Sequence, residues 1–204
     1  AIEVVGNGVD DDCDPTTSDT VAPPPCSTIA KLTGVTATNV AQAIELCQFT
    51  TANPPLPQRK WGVISAVHRF ANGVVPNGTQ LNTLQNAQTA IKTNYGTNVL
   101  PRKNNTMAVL STGMARDTND PGFVVPQAGT GFGHAHQPPA VYLAAHGGNL
   151  PSSAGCSGNC PAGSGANDSV NIRLQIRVPT NVLSFSYKFK FYSAEYPEYT
   201  CTPF

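Results

Sequence analysis

The clearest pattern in this chain is a strict alternation of apolar and polar residues over positions 170–191. Two runs share it: Val170, Ile172, Leu174, Ile176 and Val178, followed by Leu183, Phe185, Tyr187, Phe189 and Phe191. A period of two predicts strands with one face on a core and the other in water. Because only a short connection separates the runs, the pattern predicts a β-hairpin.

Weaker patterns predict the remaining elements. Apolar spacing favours short helices over 38–47, with Thr38 as N-cap, and over 81–94. Strands are predicted over 61–70 and 107–112. The stretch 117–166 is rich in Gly, Pro and His and has no sustained period, so it is expected to form ordered surface loops or a functional excursion. The predicted fold is mainly β, an antiparallel β-sandwich or jelly-roll-like domain with two short helices and long ordered loops.

Two domains of unequal size are expected. Residues 1–25 form an acidic, turn-rich extension that ends in Val-Ala-Pro-Pro-Pro, a stiff spacer. Residues 26–204 form the β-rich domain. The 204-residue chain is 40% hydrophobic, which is enough to bury a core.

Charge excludes several classes of partner. Charged residues make up 12% of the chain, and twelve acidic residues balance twelve basic ones. With no Lys/Arg cluster, neither nucleic acid nor an anionic membrane surface is an expected partner. No apolar run approaches the ~18 residues of a membrane span.

The six cysteines favour an oxidising compartment. They are even in number and lack the C-x2-C pairs of a structural zinc site, so we expect disulfides in a secreted or cell-surface protein. Cys156 and Cys160 close a small local loop, and we expect a disulfide between them. Cys26 and Cys47 flank the first helix and could form a second disulfide, which would leave Cys13 to pair with Cys201. Six cysteines allow fifteen connectivities, so other pairings stay open. The start at Ala1 fits a processed secreted protein or a trimmed chain.

The acidic extension contains a candidate calcium turn. Asp10, Asp12 and Asp14 have the spacing of the first three ligands of a calcium loop. Pro15 and Val21 stand where an EF-hand needs Gly and Glu, so an EF-hand is excluded. A short calcium turn and a merely solvated acidic turn remain as alternatives.

Histidines form a second candidate site. His134 and His136 share a face if the segment is extended, and His146 follows ten residues later. Such a trio could bind copper or zinc. Histidines in a Gly/Pro-rich loop are more often hydrogen-bonded surface residues, which is the alternative.

Catalysis is not expected. His146-Gly147-Gly148 is similar to an oxyanion-hole loop, but no G-x-S-x-G nucleophile elbow occurs in the chain. The predicted function is therefore non-enzymatic: surface display, adhesion or assembly. An extracellular metal-binding protein is the alternative, and a secreted hydrolase is a weaker one.

Several segments in order resemble the choice-of-anchor L domain of bacterial surface proteins, of myxobacterial type. They are 34–44, 61–66, 107–113, 115–123, 168–181 and, above all, Phe189-Lys190-Phe191-Tyr192-Ser193-Ala194-Glu195-Tyr196-Pro197-Glu198-Tyr199. The opening residues Glu3 to Asp14 are similar to a motif assigned to metal binding in such proteins, including a methanotroph copper-binding one. The resemblance implies a secreted bacterial protein, displayed on or released from the cell surface, without catalytic residues.

One departure from the family pattern suggests self-assembly. In the family, the Glu-Tyr-Pro-Glu-Tyr motif is normally followed by a further strand and more of the domain, whereas this chain reaches Phe204 soon after it. A β domain that lacks C-terminal strands leaves a sheet edge unpaired. We therefore expect a homo-oligomer or polymer, such as a filament subunit completed by inter-subunit strand pairing; a fragment whose strands lie elsewhere is the alternative.

Overall fold

The computed structural model describes residues 3, 10–14, 26, 28–55, 60–125, 127, 131–150, 165–178 and 183–193. The helices in these residues are α1 (Ala37–Ala43), α2 (Gly78–Thr83), which continues into a π-helical turn (Leu84–Gln88), and α3 (Ala140–Ala145). The strands are β1 (Gly62–Arg69), β2 (Thr89–Lys92), β3 (Met107–Leu110), β4 (Ala135–His136), β5 (Ala166–Asn167) and β6 (Asn171–Arg177).

The strands pair in three small antiparallel sheets, β1 with β6, β2 with β3, and β4 with β5. In the first, His68 lies opposite Ile172 and Ala66 opposite Leu174, with a register shift between Val63 and Ser65. The predicted antiparallel β class is confirmed at this level. A complete sandwich is not formed by the described strands.

A small apolar core joins α1 to both larger sheets. Val35, Val40 and Ala43 pack with Ile91 of β2, and Ala108 of β3 and Ile172 of β6 pack against this group. These contacts bury one face of α1 and place the two sheets around the same core. Phe70, at the end of β1, and Leu84, in the π-helical turn, are also fully buried.

The first helix is confirmed, with different ends. Its N-cap is Thr36, not Thr38, because the Thr36 hydroxyl accepts the Asn39 N–H and the Asn39 side chain accepts the Thr36 N–H. This reciprocal pair satisfies backbone donors that the helix leaves free. The helix ends at Ala43, and Glu45 has φ 71°, a left-handed conformation that turns the chain.

The predicted helix over 81–94 is wrong in its second half. The chain is helical only to Gln88, after which Thr89–Lys92 form β2. All four β2 residues are buried, so this strand lacks the alternation that identifies a half-exposed one. Pairing with β3 and the backbone contacts of Ile91 with Lys31 outweigh the helical spacing of the apolar residues.

The predicted hairpin is also only half formed. Its first strand is β6, but residues 183–193 have no strand partner among the described residues, and the connection 179–182 lies outside them. The predicted strands at 61–70 and 107–112 are confirmed as β1 and β3. The segment 117–166 contains the short β4 and the unpredicted helix α3.

Cys26 and Cys47 form a disulfide, as predicted, with 5.6 Å between their Cα atoms. Cys13 is exposed and has no disulfide partner in the described part of the chain. Its predicted partner Cys201, like Cys156 and Cys160, lies outside the described residues. Among the helices described, none has the length and apolar character needed to cross a membrane.

Candidate functional sites

Three carboxylates of the N-terminal extension converge on one point. Glu3, Asp10 and Asp12 each place an oxygen within 4.8 Å of the others. Glu3 is the buried member, 5% exposed, and its Oε2 accepts the Asp11 N–H at 2.9 Å. Its Oε1 is buried and has no hydrogen-bond partner in the described structure. A buried carboxylate oxygen without a donor is costly, so a cation would suit this position.

The predicted calcium residues are therefore partly brought together. Asp10 and Asp12 belong to the group, whereas Asp14 is exposed and instead donates its backbone N–H to Asp12 Oδ1 at 2.8 Å. Sequence spacing missed Glu3, which lies seven residues before Asp10. Oxygen donors of this kind fit a hard cation such as Ca²⁺ better than copper or zinc.

Two of the three predicted histidine ligands share one neighbour. The His136 ring stacks on Phe70 at 3.9 Å, and the His134 ring meets the edge of Phe70 at 5.4 Å. His134 Nδ1 and His136 Nε2 are buried and lack hydrogen-bond partners among the described residues. His136 also lines a cleft of about 350 Å³ with Asn72 and Asn167.

His146 lies in a separate place, at the end of α3. Its ring stacks on Tyr142 at 4.2 Å, and its Nδ1 is 2.8 Å from the Tyr142 carbonyl oxygen. Within the described residues, His134, His136 and His146 do not form a three-ligand group. The fourth histidine, His68, is buried in β1 beside Thr89, and burial lowers its pKa.

Asp168 anchors the start of β6 to the loop that carries His134. It has φ 47°, and its carboxylate accepts the N–H groups of Phe132 at 2.8 Å and His134 at 2.9 Å. Its own N–H donates to the His134 carbonyl, and its carbonyl accepts Gln88 Nε2 at 2.7 Å. Sequence analysis did not single out this residue, because an isolated aspartate gives no pattern.

The largest exposed apolar feature is the segment 183–193, which we call the apolar segment. The odd-numbered side chains from Leu183 to Phe191 are 71–97% exposed. The rings of Tyr187 and Phe189 are 5.7 Å apart, so these alternate side chains lie on one side of the backbone. Tyr192, at the end of the segment, stacks on Tyr95 at 6.2 Å.

A buried lysine and two aspartates form a charged cluster beside Tyr95. Lys92, at the end of β2, is 4% exposed; its Nζ is 2.9 Å from Asp117 Oδ2 and contacts Asp120 Oδ2. The Gly96 N–H and Lys92 lower the pKa of Asp117 to about 2. The Asp117 N–H donates to Asp120 Oδ2 at 2.7 Å. Sequence analysis did not single out either aspartate as a site residue.

No known family model matches the chain, no curated protein matches it, and no solved structure matches its fold.

Proposed function

We propose that this protein is a non-enzymatic, extracellular structural protein whose copies assemble by β-strand addition. In the assembly, the apolar segment of one copy pairs along the outer edge of β6 in another. The observation that carries this proposal is the exposure of five alternating large apolar side chains, from Leu183 to Phe191, beside a strand β6 whose second edge is not covered by any described strand. Resemblance to a bacterial surface-protein domain agrees with such a role.

The edge of β6 is a suitable acceptor. Within the described residues β6 pairs with β1 on one side, and no strand covers the other. Unpaired N–H and C=O groups along an edge are a template for a further strand. Ile172 and Leu174 are partly buried and lie on the core face of this sheet. The apolar side of an added strand would extend that face.

The alternating sequence of the apolar segment identifies it as the donor strand. The apolar segment has the alternation that favours the neighbouring position in a hairpin with β6, yet it does not occupy that position here. Exchange of an identical element between copies is a low-cost route to assembly, because the contact is the one a single chain would make. A second copy is therefore the occupant to which we commit.

Burial of this surface provides a sufficient driving force. Each large apolar side chain gains about 1.5–3 kcal/mol when it is fully buried. The gross gain from burying five such side chains is therefore comparable with the net folding stability of a domain, which is about 5–15 kcal/mol. An added strand on β6 would also widen the two-stranded sheet toward the predicted sandwich.

Light scattering coupled to size exclusion tests this proposal. We expect the protein to form species heavier than the 21.4 kDa chain, and a Phe185→Ser, Phe189→Ser, Phe191→Ser variant to be monomeric. Val124→Ser with Val125→Ser is the matched control, since these valines are exposed but lie outside the segment, and it should leave assembly intact. A monodisperse wild-type monomer at high concentration would refute strand addition.

A second candidate function, binding of Ca²⁺ by the N-terminal extension, is supported by the Glu3 carboxylate. Three carboxylates within 4.8 Å repel one another. Glu3 is only 5% exposed, and its Oε1 has no hydrogen-bond partner among the described residues. A hard cation would offset both costs. Its role would be to fold the extension rather than to support chemistry.

Calorimetric titration with calcium tests this second candidate. The wild type should bind one Ca²⁺ in this extension, and Glu3→Gln should lower the affinity by at least tenfold. Glu45→Gln is the control, because Glu45 lies beyond α1 and outside the acidic group. Equal binding by the wild type and Glu3→Gln, or no binding by either, would exclude the site.

A further inference from the structure

The cluster of Lys92, Asp117 and Asp120 brings an amine and a carboxyl into direct contact in a shielded place. Lys92 Nζ contacts Asp120 Oδ2, and the Asp117 and Asp120 side chains are only 11% and 15% exposed. The Tyr95 ring centroid is 5.7 Å from Nζ, and Tyr192 stacks on Tyr95. Most buried ion pairs are structural, but the second carboxylate on the same amine gives this one a route for proton transfer.

We propose that Lys92 and Asp120 condense to an intramolecular isopeptide bond, with Asp117 as the group that transfers the proton. The bond joins Nζ of Lys92 to Cγ of Asp120. This modification is independent of the assembly proposed above, since it lies within one chain.

The contact itself supplies both reactants in their reactive forms. Transfer of one proton from the Lys92 ammonium to Asp120 Oδ2 produces a neutral amine and a carboxylic acid at once. The amine lone pair can then form a bond to Cγ.

The two aspartates have different tasks because their hydrogen bonds differ. Asp117 accepts the Gly96 and Asn119 N–H groups in addition to Lys92, so it is held in its charged form. Asp120 receives the Asp117 N–H on Oδ2, and this bond holds the oxygen that departs as hydroxyl beside both Lys92 and Asp117. Asp120 is therefore the electrophile.

The reaction balances without an added reagent. Attack gives a tetrahedral centre whose nitrogen carries an extra proton and is far more acidic than a lysine ammonium. Asp117 accepts that proton and delivers it to the departing hydroxyl, the Cγ–O bond breaks, and water leaves. An ammonium and a carboxylate are converted to one amide and one water, and Asp117 is regenerated.

Held geometry makes the condensation feasible. Well-oriented intramolecular groups reach effective molarities of about 10⁵–10⁸ M, which favours condensation over hydrolysis by solvent water. The backbone fixes both partners, since Lys92 ends a paired strand and Asp120 lies in a turn closed by its N–H bond to the Asp117 carbonyl. The new bond would tie β2 to the loop after β3.

Intact mass spectrometry of the denatured, reduced wild-type protein tests this inference. We expect a mass lower than the sequence mass by one water, and tandem spectra of a proteolytic digest that join the peptides of Lys92 and Asp120. A wild-type chain of full mass would overturn the proposal, and so would a water loss that maps to another residue.

Variants separate the roles. Lys92→Arg and Asp120→Ala should each restore the full mass, and Asp117→Asn should leave most chains unlinked after the same time. Lys31→Arg, on an exposed lysine, should keep the water loss. Complete linkage in Asp117→Asn would contradict the assignment of Asp117. The wild-type mass and its mapping decide the bond itself even if a variant fails to fold.

Discussion

Two neighbouring runs of this chain have the same alternating pattern and different structures. Residues 171–177 form β6, which pairs with β1 and packs Ile172 on the core. Residues 183–193 have equally strong alternation and larger apolar side chains, but those side chains are exposed and the segment has no strand partner among the described residues. Period two thus identifies a segment able to form a strand, and other contacts decide which strand it joins.

The contacts that distinguish β6 lie just before it. Asp168 holds two backbone N–H groups of the 131–136 loop, and Gln88 holds the Asp168 carbonyl. These bonds fix the point at which β6 enters the sheet. At the other run, the Tyr95–Tyr192 ring contact joins the end of the apolar segment to the loop after β2.

Removal of the Asp168 carboxylate, which anchors the start of β6, should have the largest effect on the stability of the protein. In Asp168→Ala the N–H groups of Phe132 and His134 lose a charged acceptor, and leaving a buried donor unpaired costs about 1–3 kcal/mol. We expect the free energy of unfolding to fall by about 3 kcal/mol, as measured by urea denaturation under dilute conditions. Lys103→Ala, on an exposed lysine in the loop between β2 and β3, is the control and should change stability little.

A loss below about 1 kcal/mol in Asp168→Ala would contradict this account, because it would mean that pairing with β1 alone positions β6. Hydrogen exchange gives a second reading of the same variant. Amides of β6 should become less protected, while those of α1 keep their protection.

The next effect compares equivalent apolar residues in the two runs. Ile172→Ala should lower the free energy of unfolding by about 2 kcal/mol, the low end for a buried isoleucine, because Ile172 is only partly buried. Phe189→Ala should change the stability of the monomer by no more than about 0.5 kcal/mol, since Phe189 is exposed. Chemical denaturation of both variants checks the pair.

Equal losses in the two variants would show that the apolar segment folds onto its own chain. That result would also weaken the proposal of strand addition between copies. Self-association should respond in the opposite order. Phe189→Ala should weaken it because Phe189 belongs to the donor strand, whereas Ile172→Ala leaves the donor strand unchanged.

Sequence patterns predicted the parts of this fold that depend on local signals. Alternation located β6, and the spacing of apolar residues located α1. The strand β2 was missed because all of its residues are buried, so the partner strand β3 rather than a period defines it. That 183–193 has no strand partner among the described residues likewise depends on tertiary contacts that alternation does not encode.

The candidate sites divide in the same way. Asp10 and Asp12 were predicted from their spacing, whereas Glu3 joins them only through folding of the extension. His134 and His136 both contact Phe70, whereas His146 is attached to a helix that the pattern did not predict. Lys92 and Asp120 are 28 residues apart, and no motif connects them.

The smallest predicted effect is a difference in pH dependence: acid should lower the stability of the β1–β6 sheet but should not change self-association through the apolar segment. His68 of β1 lies opposite Ile172 of β6, and burial lowers its pKa below the ordinary 6.5. Below pH 6.5 the unfolded chain therefore binds a proton that the folded chain does not, so stability falls as pH falls toward the folded pKa. The slope is at most about 1.4 kcal/mol per pH unit for one proton.

The apolar segment contains neither histidine nor carboxylate, so self-association of the folded protein should stay constant over this window. Urea denaturation and light scattering between pH 7 and pH 5 measure both quantities, and His68→Gln should reduce the slope of the first without changing the second. An unchanged slope in His68→Gln would assign the acid sensitivity to other groups and remove His68 from the account of β1–β6 stability.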